Sequence, residues 1–108
     1  YEILTAEISK ATFGITPGQY QKLKGLKREN LRDHMDDFEL IFTMLGERAT
    51  TEIHRTEDSR GVPKLKGDAK AGGKIAGDAR RALEKQLGRP VVSPGNYLNK
   101  PESLKRLK

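Results

Sequence analysis

Five cations, Lys66, Lys70, Lys74, Arg81 and Lys85, recur through residues 66–85 at spacings that could build an anion-binding surface. At about 100° per residue on a helix, the last four fall within a ~60° arc. Such a row suits the phosphates of a nucleic-acid backbone, which give position and salt-dependent affinity but carry no sequence information. The same pattern also fits a solvated helix face, or one paired with the acidic residues of segment 36–58. Aromatic side chains, which would stack on single-stranded bases, are missing from this face.

The string Ala71-Gly72-Gly73-Lys74-Ile75-Ala76-Gly77 invites comparison with a phosphate-binding loop. It lacks the G-x-x-x-x-G-K-[ST] spacing, no Ser or Thr follows the Lys, and no strand pattern precedes it. Gly73 and Gly77, four residues apart, more simply allow close helix packing, an interaction surface, or a hinge. His34 lies near Asp33 and Asp37, and His54 near Glu57 and Asp58, but neither forms the His-x-x-x-His or His-Glu-x-x-His spacing of a metal helix. Both read as surface or capping residues belonging to different elements, and they are not expected to meet. Glu47 and Glu52 are five apart and do not converge, and Ser9, Ser59, Ser93 and Ser103 lie outside any G-x-S-x-G elbow. The absence of Cys removes disulfides, thiolate zinc sites and Cys nucleophiles. The expectation is a protein without enzyme chemistry, cofactor or metal.

The elements that must carry these residues are helical. The densest apolar stretch is residues 36–54, where Phe38, Ile41, Phe42, Leu45, Ala49 and Ile53 share one helical face, widened by Leu40 and Met44. Asp36 and Glu39 form its N-terminal cap, and Gly46 marks a close crossing or a break. Upstream, Leu4, Ile8, Ala11 and Ile15 predict a helix that ends at Gly14. Thr16-Pro17-Gly18-Gln19 is a capping box that starts a short second helix, with Tyr20 and Leu23 facing inward and Gly25 as its stop. Residues 27–35 predict a polar turn or two. Residues 55–64, with Gly61 and Pro63, predict a loop, and 65–87 a second long helix on Ala71, Ile75, Ala79, Leu83 and Leu87, stopped by Gly88 and Pro90. Val91-Val92 reads as a short extended pair, and Tyr97-Leu98 as a return to the core. The fold class is therefore all-α: a small bundle of about four to five helices with two long amphipathic ones, about 37–55 and 65–87. One helical domain is expected over 1–98, with a short basic tail over 99–108.

With 108 residues, 34% hydrophobic, 33% charged and six aromatics, the core must be small or completed by a partner chain. The net charge of +6 is uneven: residues 36–58 carry −5 and residues 59–108 carry +9. That asymmetry suggests internal pairing, an anionic partner, or both. No apolar run reaches the ~18 residues of a membrane span, and the lack of Cys fits a cytoplasmic setting. The start at Tyr1 rather than Met predicts a fragment of a longer protein.

Longer blocks carry a family resemblance. Lys24-Gly25-Leu26-Lys27-Arg28-Glu29-Asn30-Leu31-Arg32-Asp33-His34-Met35, Glu39-Leu40-Ile41-Phe42-Thr43-Met44-Leu45-Gly46-Glu47, Thr50-Thr51-Glu52-Ile53, Gly72 through Arg80, Pro90-Val91-Val92-Ser93 and Asn96-Tyr97-Leu98 occur in that order. Over residues 3 to about 98 the chain resembles the C-terminal region of DNA-damage-inducible protein D and related phage antirepressor-like proteins. The resemblance implies a bacterial, cytoplasmic accessory domain of an SOS-response or phage-repression protein, without the N-terminal Bro-N DNA-binding module of that family. It transfers no catalytic residue. The leading expectation is DNA-backbone or DNA-bound-regulator binding through the basic helix face. The alternative is a protein-interaction or homo-oligomerisation module with no direct DNA contact, built on the Gly73/Gly77 surface.

Overall fold

The computed structural model describes residues 2–58 and 60–93. The chain forms an all-α bundle: α1 (Glu2–Phe13), α2 (Pro17–Leu23), a 3-10 turn (Leu31–His34), α3 (Asp37–Glu57) and α4 (Val62–Leu87), with no strand among the described residues. The predicted packing of Tyr97-Leu98 and the basic tail over 99–108 lie outside the described residues.

Local chemistry sets most helix ends. Gly14 takes the left-handed conformation, φ 80°, and its N–H bonds to Lys10 O at 2.9 Å, which closes α1. The Thr16/Gln19 capping box opens α2, with Gln19 N–H donating to Thr16 Oγ1 at 3.1 Å and Thr16 N–H to Gln19 Oε1 at 2.9 Å. Asp36 and Glu39 repeat that reciprocal cap at the start of α3. At the other end of α4, Gly88 is left-handed and bonds back to Glu84 O at 2.8 Å.

The predicted loop over 55–64 is shorter than expected. α3 continues to Glu57 and turns on Asp58, φ 49°, a backbone region that Asp tolerates better than most side chains. α4 already begins at Val62, because Pro63 falls in the first turn, where its missing N–H has no intrahelical partner to lose.

α3 and α4 form an antiparallel pair, with Gly46 opposite Ala76 and Gly72 opposite Thr50, and α1 lies against both. A Cβ on Gly72 would stand 2.7 Å from Thr50 Cα; one on Gly73 would stand 2.8 Å from Ile8 O, and one on Gly77 2.3 Å from Ala11 O. Only glycine lets these backbones come so close. Gly46 is the crossing that the sequence allows for, since a Cβ there would meet Thr12 Oγ1 of α1 at 2.8 Å and Ala76 Cβ of α4 at 3.6 Å.

Two predicted apolar stripes are corrected. On α3, Phe42 is buried, but Ile41 and Met44 are 53% and 49% exposed. On α4, Ala71, Ile75, Ala79 and Leu87 face outward, while Ala69, Gly72, Gly73, Ala76 and Gly77 are buried. The buried face of α4 is rotated by roughly 90° from the predicted one at 3.6 residues per turn. Close approach favours small side chains there, and small side chains carry almost no hydrophobic signal. Leu23, expected inward, is also exposed. Larger apolar groups gather at the other end, where Phe13, Tyr20, Met35, Phe42 and Val91 form the core cluster, flanked by Ile15, Leu31, Phe38, Leu45 and Leu83. Phe13 and Tyr20 meet edge to face, with ring centroids 5.2 Å apart.

Candidate nucleic-acid interface

Packing of α1 and α3 onto the glycine side of α4 leaves the cationic row outward. Lys70, Lys74, Arg81 and Lys85 are all exposed, whereas Lys66 is half-buried with its Nζ 3.8 Å from Glu7 Oε1. Arg80, next to the row in sequence, turns inward instead: its Nε donates to Thr12 O at 2.6 Å and its Nη1 to Glu84 Oε1 at 2.7 Å. From Lys70 to Lys85 the row runs about 22 Å along the helix axis.

Its ionic partners come from within α4 and from α1, not from the acidic segment 36–58. Lys74 Nζ donates to Asp78 Oδ2 at 2.9 Å, and Arg81 Nη2 donates to Asp78 Oδ1. The hydrogen bonds from Lys74 and Arg81 hold the Asp78 carboxyl below the usual aspartate range. Among the described residues, no carboxylate lies within ion-pair distance of Lys70 or Lys85.

The other sequence candidates are dispersed. Gly73 and Gly77 are close-packing residues, but the surface they contact is α1 of the same chain, so it is not open to a second copy. The 71–77 string lies within a continuous helix, where the backbone N–H groups serve the helix and cannot cradle an anion. His34 precedes α3 and His54 lies in its last turn, roughly 25 Å apart by helix rise, so the two do not meet; His34 is buried in the 3-10 turn rather than at the surface as expected. His54 Nδ1 lies 3.8 Å from Asp68 Oδ2, too long for a hydrogen bond, and both atoms are buried without a hydrogen-bond partner. Among the described residues no group of three or more His, Asp or Glu could hold a metal ion, and no helix is long and apolar enough to cross a membrane.

One constellation escapes sequence reasoning. Glu39 is fully buried; its Oε1 accepts from Lys24 Nζ at 2.9 Å and from Asp36 N–H at 3.0 Å, while Tyr20 OH donates to Oε2. Lys24 is buried as well, with its Nζ 5.5 Å from the centroid of the Tyr20 ring. Burial, then the hydrogen bond to Glu39, raises the Tyr20 hydroxyl well above its ordinary pKa. The Asp36/Glu39 cap and the Tyr20/Lys24 spacing of four residues were the only local signals, and neither shows that the two meet. A groove of about 470 Å³ between α1, the 3-10 turn and α3 has an apolar floor that includes Ile8, Phe13, Leu31 and Met35, and the Arg32–Glu47 ion pair lies on its wall.

Comparison of the chain with family models, with curated proteins and with solved structures finds no match.

Proposed function

We propose that this chain is a non-enzymatic helical module that contacts the phosphate backbone of DNA, or a DNA-bound regulator, through the outward face of α4. The observation that carries this reading is the row Lys70, Lys74, Arg81 and Lys85, exposed along one face while Arg80 is withdrawn into the packing. The resemblance of residues 3–98 to the C-terminal region of DNA-damage-inducible protein D supports the same context, a bacterial, cytoplasmic role in the DNA-damage response or in phage repression. With up to four phosphate contacts, affinity for any duplex should fall about 100-fold between roughly 50 and 200 mM salt. Fluorescence anisotropy on two unrelated duplexes tests this, with Lys74→Glu/Arg81→Glu weakening both alike. No binding at 50 mM salt would remove direct DNA contact.

A second reading, a protein-interaction or oligomerisation module, is favoured by Ile41 and Met44, which leave apolar surface exposed one turn apart on α3. Gly73 and Gly77 lie outside such a surface, since they pack against α1 of the same chain. Gly73→Ala should lower the stability of the single chain by about 1–3 kcal/mol, because the new methyl meets Ala11 Cβ at 2.6 Å and backbone at 2.8 Å. Ile41→Glu/Met44→Glu should change the mass seen by light scattering if copies associate there. A strictly monomeric wild type would remove self-association.

A further inference from the structure

Asp78 stands in the middle of the cationic row, four residues after Lys74 and three before Arg81. Each of its oxygens is engaged, Oδ2 by Lys74 and Oδ1 by Arg81. The three side chains are all well exposed, at 72% for Lys74, 52% for Asp78 and 53% for Arg81. The two central cations are thus turned onto a carboxylate that lies between them, while Lys70 and Lys85 at the ends have no such partner among the described residues.

We infer that Asp78 is an internal competitor for the anion: it occupies Lys74 and Arg81 in the free protein and is displaced by, or repels, a phosphate backbone on binding. This rests on the nucleic-acid reading of the α4 face and adds its regulation. Exposed ion pairs hold weakly, so the clasp can open when a denser anion arrives. Duplex DNA, with one charge per ~1.7 Å of axis, can engage the end cations and the released central pair together, as a sparsely charged anion cannot. Asp78 therefore sets how dense a polyanion must be before all four cations engage.

The test compares Asp78→Asn with Glu52→Gln, which removes one negative charge at a 70% exposed site on α3, outside the row. Binding of a 20-base-pair duplex is followed by anisotropy from 50 to 200 mM salt, with circular dichroism to confirm the fold. Asp78→Asn should bind about five- to tenfold tighter at 50 mM salt, because Lys74 and Arg81 no longer have to leave a carboxylate before they meet a phosphate. Glu52→Gln should change affinity less than twofold. Equal gains in both variants would show that only net charge matters and would overturn the inference. Weaker binding by Asp78→Asn would also overturn it, since Asp78 would then be orienting the cations rather than competing for them. If the wild type and both variants fail to bind at 50 mM salt, the nucleic-acid reading falls and the inference with it.

Discussion

Glu39 and Asp78 are both carboxylates clasped by two side-chain donors, yet one is sealed in the bundle and the other lies open on its surface. Glu39 takes Lys24 and Tyr20, with side-chain exposures of 1% for Glu39 and 0% for Lys24. Asp78 takes Lys74 and Arg81 with all three side chains at least half exposed. The bonds are alike; the solvent is not. A buried pair cannot fall back on water when a partner is lost, so its cost appears in the fold. An exposed pair exchanges its partner for water at little cost, and so its atoms stay available to a ligand.

Breaking the buried clasp should have the largest effect. Glu39→Ala takes the carboxylate from beside the buried Lys24 and leaves Asp36 N–H and Tyr20 OH without their acceptor, so stability should fall by about 3–5 kcal/mol, read from the urea midpoint. Lys24→Met/Glu39→Gln removes both charges and keeps an acceptor for Tyr20. The double variant should be more stable than Glu39→Ala. Finding both equally unstable would mean that the cluster acts through shape rather than charge.

A smaller effect sharpens the comparison through pH. Tyr20→Phe should cost about 1–3 kcal/mol at neutral pH, because Glu39 Oε2 loses its hydroxyl donor. The Tyr20 hydroxyl titrates above its unfolded value, so the folded state holds its proton where the unfolded chain has released it. Its contribution is complete below about pH 10, the ordinary tyrosine value, and is lost progressively as pH rises beyond it. Wild type and Tyr20→Phe should therefore converge in stability above pH 10. Parallel curves from pH 8 to 11 would show that the phenol does not feel its burial.

How far the sequence shows these two clusters follows from the reach of each interaction. Asp78 with Lys74 and Arg81 is a matter of helical spacing, three and four residues, which the sequence contains, although the charge pattern points to segment 36–58 as the partner instead. So are the capping boxes at Thr16 and Asp36 and the glycine stops at 14, 25 and 88. The Glu39 cluster joins α2 to α3 across 15 to 19 residues, and no local rule says that a capping glutamate will also receive a lysine and a tyrosine from another helix. The buried face of α4 escapes hydrophobic periodicity for a different reason. Hydrophobic periodicity weighs Ile75 and Leu87, but the seam is decided by how closely backbones approach, and Gly72, Gly73 and Gly77 signal that by what they lack. Gly46 was legible as a crossing because a lone glycine among large apolar residues has few other uses in a helix.

The smallest expected stability change belongs to Asp78→Asn, and it completes the contrast. Its carboxyl is held below the usual aspartate range by Lys74 and Arg81, so any stabilisation is present above the unfolded aspartate value and lost as pH falls through the lowered one. Water and salt screen the clasp, and the freed Lys74 and Arg81 regain hydration when it is removed. The urea midpoint of Asp78→Asn at pH 7 should thus match wild type within experimental scatter, and the two should stay matched on raising salt from 50 to 500 mM. A clear loss of stability would place Asp78 beside Glu39 as a structural group and would leave Lys74 and Arg81 too firmly held to serve a ligand. An unchanged midpoint together with tighter duplex binding would separate the two carboxylates completely, one spent on the fold and the other on restraint of the surface.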